Sequence, residues 1–407
     1  MHPKAKDPLL WLRTHGIWLG LLLLCGCTTV SPTPGLRRFP PDTTMNEAAG
    51  RGGMLYVTLQ LADGQKLPFV LDTGSSATAL DKSLEPKLDA CLGEGTVTIF
   101  AVKQDTRIYK TPTLYWGGTP LLNSNKYVIT VDCQKLSANG GHPQMGILGM
   151  DILCHYCLQL DFAARKIRFL DPVLADKTGW GQPFPLTDLG DGCFVVRENL
   201  VKSHGWGSLI DTGCDSDGWL TPQFYHEWTN LLQPAAGAVH SPRGRLGDEY
   251  YDEIHLTELD SAQVASGDEH LRFNGIGLRL LAQNLVTLDF PERTLYLKRT
   301  SVGPLKPDRA AQAAARSEGR AALRFLSQLQ REGRLPGWSE YNQRAVGQVH
   351  FYYHYPDTVT FDNLRKIGDP AVYHYEVIRP DKSHPWRLTK AWRTDASGRT
   401  LVEYPVP

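Results

Sequence analysis

The chain has 407 residues, enough for two or three domains. Its 43 Lys and Arg match its 43 Asp and Glu, so the balance points to neither nucleic acid nor an acidic partner. Hydrophobic residues at 42% exclude wholesale disorder, and 38 Gly with 27 Pro suit a β-rich, loop-rich body.

Lys4, Lys6 and Arg13 precede an apolar stretch from Ile17 to Leu24 that is short for a bilayer span and reads as a signal peptide. It ends in Leu24-Cys25-Gly26-Cys27, which resembles the lipobox of bacterial lipoproteins. The resemblance implies that residues 1–27 are signal and lipobox, and that Cys27 becomes the acylated N-terminus holding the chain to a membrane. A plain secretory signal cut nearby is the alternative. Thr28 follows in place of Asp, which under the enterobacterial sorting rule implies the periplasmic side of the outer membrane. Residues 28–53 read as a linker.

The body then opens with an alternating strand, Met54 to Leu61, and a turn at Ala62-Asp63-Gly64-Gln65. Leu67 to Leu71 runs straight into Asp72-Thr73-Gly74-Ser75-Ser76. A helix-like stretch, Asp81 to Leu88, follows, then a hairpin between Gly95 and Tyr115 with arms near Val97–Val102 and Thr106–Thr113. Met145 to Asp151 leads to two strands, Leu158–Phe162 and Lys166–Leu170.

The same order then recurs. Cys193–Val196 passes through a turn near Ser203-His204 to Gly207–Ile210 and to Asp211-Thr212-Gly213-Cys214. Thr221 to Leu232 is helix-like, Asn274 to Arg279 parallels Met145 to Asp151, and Val286–Phe290 and Thr294–Leu297 close the unit. Gly149 to Asp161 and Gly277 to Asp289 are both twelve residues. One unit is written twice, at 54–175 and at 176–305.

Residues 306–407 differ. Asp308 is placed to cap a helix running toward Gly333, with a stripe of Ala321, Leu323, Leu326 and Leu329. Strands follow at Val349–His354, Val372–Ile378, Trp386–Thr394 and Leu401–Tyr404, giving a small α+β domain whose Trp and Tyr residues read as core.

Two carboxylates a few ångströms apart cannot both ionise easily, and a pair sharing one proton can activate water at a carbonyl carbon. Asp72 and Asp211, each delivered by an apolar strand into Thr-Gly, are the candidates. No HExxH, GxSxG or phosphate loop competes, and no metal or cofactor is implied. Asp215 and Asp217 crowd the second triplet and read as turn caps. Six cysteines follow the leader: Cys91, Cys133, Cys154, Cys157, Cys193 and Cys214. An exported setting permits disulfides, and the hairpin around Ser203-His204 suggests Cys193 opposite Cys214. Cys154 and Cys157 form a CxxC that is either a local bridge or two halves of separate ones.

Strand, Asp-Thr-Gly, helix, an apolar-apolar-Gly segment and a Leu-Asp-Phe hairpin together resemble the lobe of aspartic proteases. Ile147-Leu148-Gly149-Met150-Asp151 is similar to bacterial retropepsin-like proteins. The resemblance covers residues 53–300 and implies a mainly β fold, a two-lobed β-barrel body with both catalytic aspartates in one chain, acting as a monomer on peptide or protein substrates without a cofactor. It implies that Thr73 and Thr212 hydrogen-bond across the lobes, and that Gly74 and Gly213 admit N–H groups to the carboxylates and tolerate unusual dihedrals. It implies that the Ser75 hydroxyl contacts the outer carboxylate oxygen, where the second lobe has Cys214, and that a flap carries a tyrosine near its tip, with Tyr109 and Tyr115 as candidates. Trp219 reads equally as pocket wall or core. The expected activity is a lipid-anchored aspartic endopeptidase; the rival is a protease-fold binding or scaffold protein without turnover.

Overall fold

Strand accounts for 45% of the chain and helix for 12%, so the protein is mainly β. The computed structural model describes residues 39–99, 102–133, 143–190, 192–200, 207–229, 238–259, 272–306, 321–337, 350–354, 358–362, 372–379, 383–395 and 399–406. The leader, Cys25, Cys27 and the Ser203-His204 turn lie outside them. Among the described residues, no helix is long and apolar enough to cross a membrane.

Each triplet is delivered in the same way. Lys66–Leu71 alternates buried and exposed residues, then is buried on both faces as it reaches Asp72. It pairs antiparallel with Tyr56–Gln60 on one side and parallel with Gly146–Leu148 on the other. In the second half Ser208–Asp211 pairs antiparallel with Phe194–Val196 and parallel with Asn274–Gly277. Ala79–Asp81 and Gly218–Leu220 then pair antiparallel with Gly146–Leu148 and Asn274–Gly277, so the chain after each triplet crosses back over its own sheet. A short 3-10 helix, Lys82–Lys87, follows the first crossing and an α-helix, Pro222–Thr229, the second, both within the stretches expected to be helical.

The closing hairpins join the halves. Cys157–Asp161 pairs antiparallel with Asn284–Asp289, its own counterpart, in a register centred on Gln159 opposite Thr287. Gln159 Nε2 donates to Thr287 Oγ1 at 3.0 Å across a separation of 128 residues, the same offset that relates Gly149 to Gly277. Two equivalent strands meeting antiparallel at equivalent residues define a local two-fold axis, the geometry of an isologous contact inside one chain. The hairpin turns obey it too: Arg165 and Arg293, again 128 apart, both hold positive φ, at 54° and 49°.

The expected barrels do not form. Nine strands from residues 56–148 make one open sheet, and Thr43–Thr44 with the strands from 157 to 299 make an open sheet of twelve. The reason is visible in the register: Cys157–Asp161, paired on one edge with Lys166–Leu170, takes Asn284–Asp289 of the second unit on its other edge instead of closing on its own unit. One hydrophobic core accordingly runs through both units, from Met45 to Leu297.

The tail has its own core. Ala322, Leu326 and Leu329 of the helix at 321–331 pack on Tyr373, Tyr375, Val377, Leu388 and Ala391 of a five-stranded antiparallel meander. The meander includes a strand, Thr358–Asp362, beyond those expected, in which Val359 and Phe361 alternate with polar residues along the sequence.

Candidate active site

The two Asp-Thr-Gly loops meet at the local two-fold axis. Thr73 N–H donates to Thr212 Oγ1 and Thr212 N–H to Thr73 Oγ1, both at 3.1 Å. Thr73 Oγ1 donates to Ile210 O and Thr212 Oγ1 to Leu71 O, both at 2.7 Å. Each hydroxyl thus accepts from the opposite loop and donates to the strand that carries that opposite loop. Both side chains are almost fully buried, so the network has no water to replace it.

The glycines explain why the triplet ends as it does. Gly74 N–H donates to Asp72 Oδ1 at 2.8 Å and Gly213 N–H to Asp211 Oδ1 at 2.7 Å. Neither glycine has positive φ, so the expected dihedral freedom is not what fixes the residue type. Close approach is: a Cβ on Gly74 would lie 2.6 Å from Asp211 Cγ, and one on Gly213 would overlap the Asp72 carboxyl. Each aspartate lies against the other half's glycine.

Behind each loop runs the apolar-apolar-Gly strand. Met150 N–H donates to Ser75 O at 2.8 Å and Leu278 N–H to Cys214 O at 2.7 Å, tying equivalent one-turn helices, Met150–Leu153 and Leu278–Leu281, to equivalent loop residues. A Cβ on Gly149 would reach 2.5 Å from the Ala77 carbonyl, and one on Gly277 would overlap Ser216 O. Only glycine lets the two backbone segments cross this closely.

Asp72 and Asp211 are 7% and 9% exposed, and their carboxyls hydrogen-bond one another. Burial raises Asp72 above the ordinary carboxylate range, against hydrogen bonds from Asp211 and from the Gly74 and Ser75 N–H groups. Burial raises Asp211 well above that range, and the charge of Asp72 pushes it further. The two titrate as a pair, with one proton held between them over the interval that separates their two steps.

Around the pair the halves differ. The Ser75 hydroxyl donates to Ala77 O at 2.9 Å, so the hydroxyl contact expected at the carboxylate is absent. Cys214 Sγ lies 3.1 Å from Ser216 Oγ, and burial with the Asp211 charge pushes the thiol up to about 12. No disulfide joins any two of the six described cysteines. The suggested Cys193–Cys214 bridge fails on register: Val195 faces Leu209 and Val196 faces Ser208, which sets Cys193 against Asp211. Cys193 Sγ lies instead 3.8 Å from Gly74 O. Cys154 and Cys157, both buried, do not bridge either.

Other expected residues fall elsewhere. The hairpin is Gly93–Ile99 with Val102–Lys110, and the turn at Phe100-Ala101 lies outside the described residues. Tyr109 is buried opposite Val128 and Tyr115 pairs with Pro120, so both are strand residues rather than tip residues. Trp219 is core: Nε1 donates to Phe273 O at 3.1 Å and the indole occupies the space a Cβ on Gly275 would need. Asp217 accepts from Arg279 and from His255 N–H, whereas Asp215 is exposed. Among the described residues no group of His, Cys, Asp and Glu is arranged to hold a metal. Tyr56, missed in the sequence, lies close enough to Asp215 that burial and this charge push its phenol up to about 12.

Asp151, buried behind the first loop, is raised to about 6 by burial. A carboxyl whose folded pKa exceeds its unfolded value adds stability that is complete below the unfolded value and lost as pH rises through the folded one. For Asp151 the window runs from 3.8 to about 6, and Asp72 and Asp211 act in the same direction. The Asp151 contribution is on the order of 3 kcal/mol. About one pH unit of that window lies above pH 5, worth about 1.4 kcal/mol, so from Asp151 alone the melting temperature should rise by roughly 2–4 °C between pH 7.5 and pH 5. Scanning calorimetry at both pH values checks this, and a lower melting temperature at pH 5 would contradict the assignment.

Comparison with protein-family models returns no match, and comparison with curated proteins returns none.

Proposed function

We propose that this chain is an aspartic-type endopeptidase with a two-lobed body, lobes at 54–175 and 176–305, and a proton-sharing pair formed by Asp72 and Asp211. The observation that carries the reading is the reciprocal packing at the local two-fold axis: two buried carboxyls hydrogen-bonded to each other, each against the other half's glycine. Structural turns have no need of two such carboxyls in contact, since each burial costs stability at neutral pH.

In this reading the ionised member of the pair takes a proton from water as the oxygen attacks the peptide carbonyl carbon, and the protonated member donates to the carbonyl oxygen. The proton is then passed to the leaving amine. The crossed threonine bonds fix the two loops to one another, so little reorganisation accompanies the step. Substrate is an extended peptide under the hairpin Gly93–Lys110. The chain acts as a monomer at the cell envelope, anchored through lipid on Cys27, with residues 306–407 as an accessory domain. A pair of this type, active with one proton shared, works best in acid.

A second reading, a peptide-binding scaffold without turnover, is favoured by one observation: neither the Ser75 hydroxyl nor the Cys214 thiol bonds a carboxylate. The full chain, incubated with a mixed peptide library from about pH 3 to about pH 8, separates them. Cleavage that is fastest in acid and blocked by pepstatin supports the peptidase. Peptides retained on the chain but uncut at every pH support the scaffold.

A further inference from the structure

Behind the two loops, matching positions carry exchanged chemistry. Thr78 and Asp217 each lie six residues after the aspartate of their triplet, and Asp151 and Arg279 each lie two residues after the glycine of the supporting strand. In the first half Thr78 donates to Asp151 Oδ1 from its N–H at 2.8 Å and from Oγ1 at 2.6 Å. Thr78 Oγ1 accepts from Gly149 N–H at 3.1 Å, and Asn125 Nδ2 donates to Asp151 Oδ2 at 3.3 Å. In the second half the carboxylate has moved to the loop. Asp217 Oδ2 accepts from Arg279 Nη1 at 2.6 Å and from His255 N–H at 2.9 Å.

Both carboxylates are buried, at 2% and 1% exposure, so neither tolerates loss of its donors. Each pair also ties the loop to the helical turn whose first N–H holds Ser75 O or Cys214 O, the residue after the triplet. Movement of either pair is thereby transmitted along one short backbone path to Asp72 or Asp211.

We propose that Thr78–Asp151 and Asp217–Arg279 are two forms of one positioning lock, each setting the orientation of its own half's aspartate and each working only as a matched pair. The activity arm of its test rests on the peptidase reading; the stability arm does not.

The exchange supplies the test. Asp217→Thr strands a guanidinium beside a hydroxyl, and Arg279→Asp sets two buried carboxylates together. The double variant Asp217→Thr with Arg279→Asp rebuilds in the second half the pair found in the first. In the full chain, each single variant should lower kcat by about 10- to 100-fold with KM within about twofold, because the loop and not the substrate cleft has moved. The double variant should recover most of that loss in kcat and in melting temperature, a positive coupling between the two positions. Should a single variant fail to fold, Asp217→Asn and Arg279→Lys replace them, with the lysine chain retaining more kcat than the asparagine chain. A double variant no better than the worse single, or single variants that raise KM and leave kcat unchanged, overturns the proposal. A wild-type chain that cleaves nothing defeats the peptidase reading alone, and the coupling in melting temperature still decides the lock.

Discussion

Replacing Asp72 or Asp211 by Asn is expected to lower peptide hydrolysis by about 10³-fold or more while leaving the melting temperature at pH 7 unchanged or higher. The two halves of that expectation have one cause. Both carboxyls are raised by burial, so at neutral pH each works against the folded state. An asparagine keeps the acceptor that Gly74 N–H or Gly213 N–H uses, and its amide donates to the remaining carboxylate in place of the shared proton. Geometry is retained and the transferable proton is lost. Rates on a cleaved peptide and calorimetry of both variants check this. A large fall in melting temperature in either variant would make the aspartates structural instead.

Gly213→Ala is expected to cost both activity and stability. Its Cβ would lie 2.6 Å from Asp72 Oδ2 and closer to the rest of the carboxyl, where non-bonded heavy atoms ordinarily keep about 3.5 Å. Overpacking of this kind costs about 1–3 kcal/mol, and a displacement near 1 Å at a reacting group costs on the order of 10²-fold in rate. Gly74→Ala, with its Cβ 2.6 Å from Asp211 Cγ, should behave alike, since the site is two-fold. Gly303→Ala is the control, because nothing lies within 4 Å of its Cβ. Rate and melting temperature of the three variants decide the point; an active, stable Gly213→Ala chain would contradict the packing described.

The repeated spacing from Gly149 to Asp161 and from Gly277 to Asp289 was legible because both ends are held by backbone crossing and by pairing of equivalent strands. Asp72 and Asp211 were legible for a related reason: only glycine fits beside each, and threonine bonds each loop to the other. What the residues did not reveal was pairing between units. Leu158–Phe162 looks like half of a local hairpin, and nothing in its composition says that its other edge meets Val286–Leu288, so barrels were expected where open sheets form. Cys193 was misplaced because a hairpin register depends on a turn whose length the sequence leaves open. The role of Ser75 rests on its position after the glycine alone, and its hydroxyl bonds Ala77 O instead. The Thr78–Asp151 and Asp217–Arg279 pairs escaped notice because their residue types differ, and they match only once the two offsets are laid side by side.

The most direct measurement is mass spectrometry of new peptide termini, released at acidic pH by wild type and by the Asp72→Asn and Asp211→Asn chains side by side. The account predicts termini from wild type only, with neither variant retaining more than a trace. Identical termini from all three chains would show that Asp72 and Asp211 do not perform the hydrolysis.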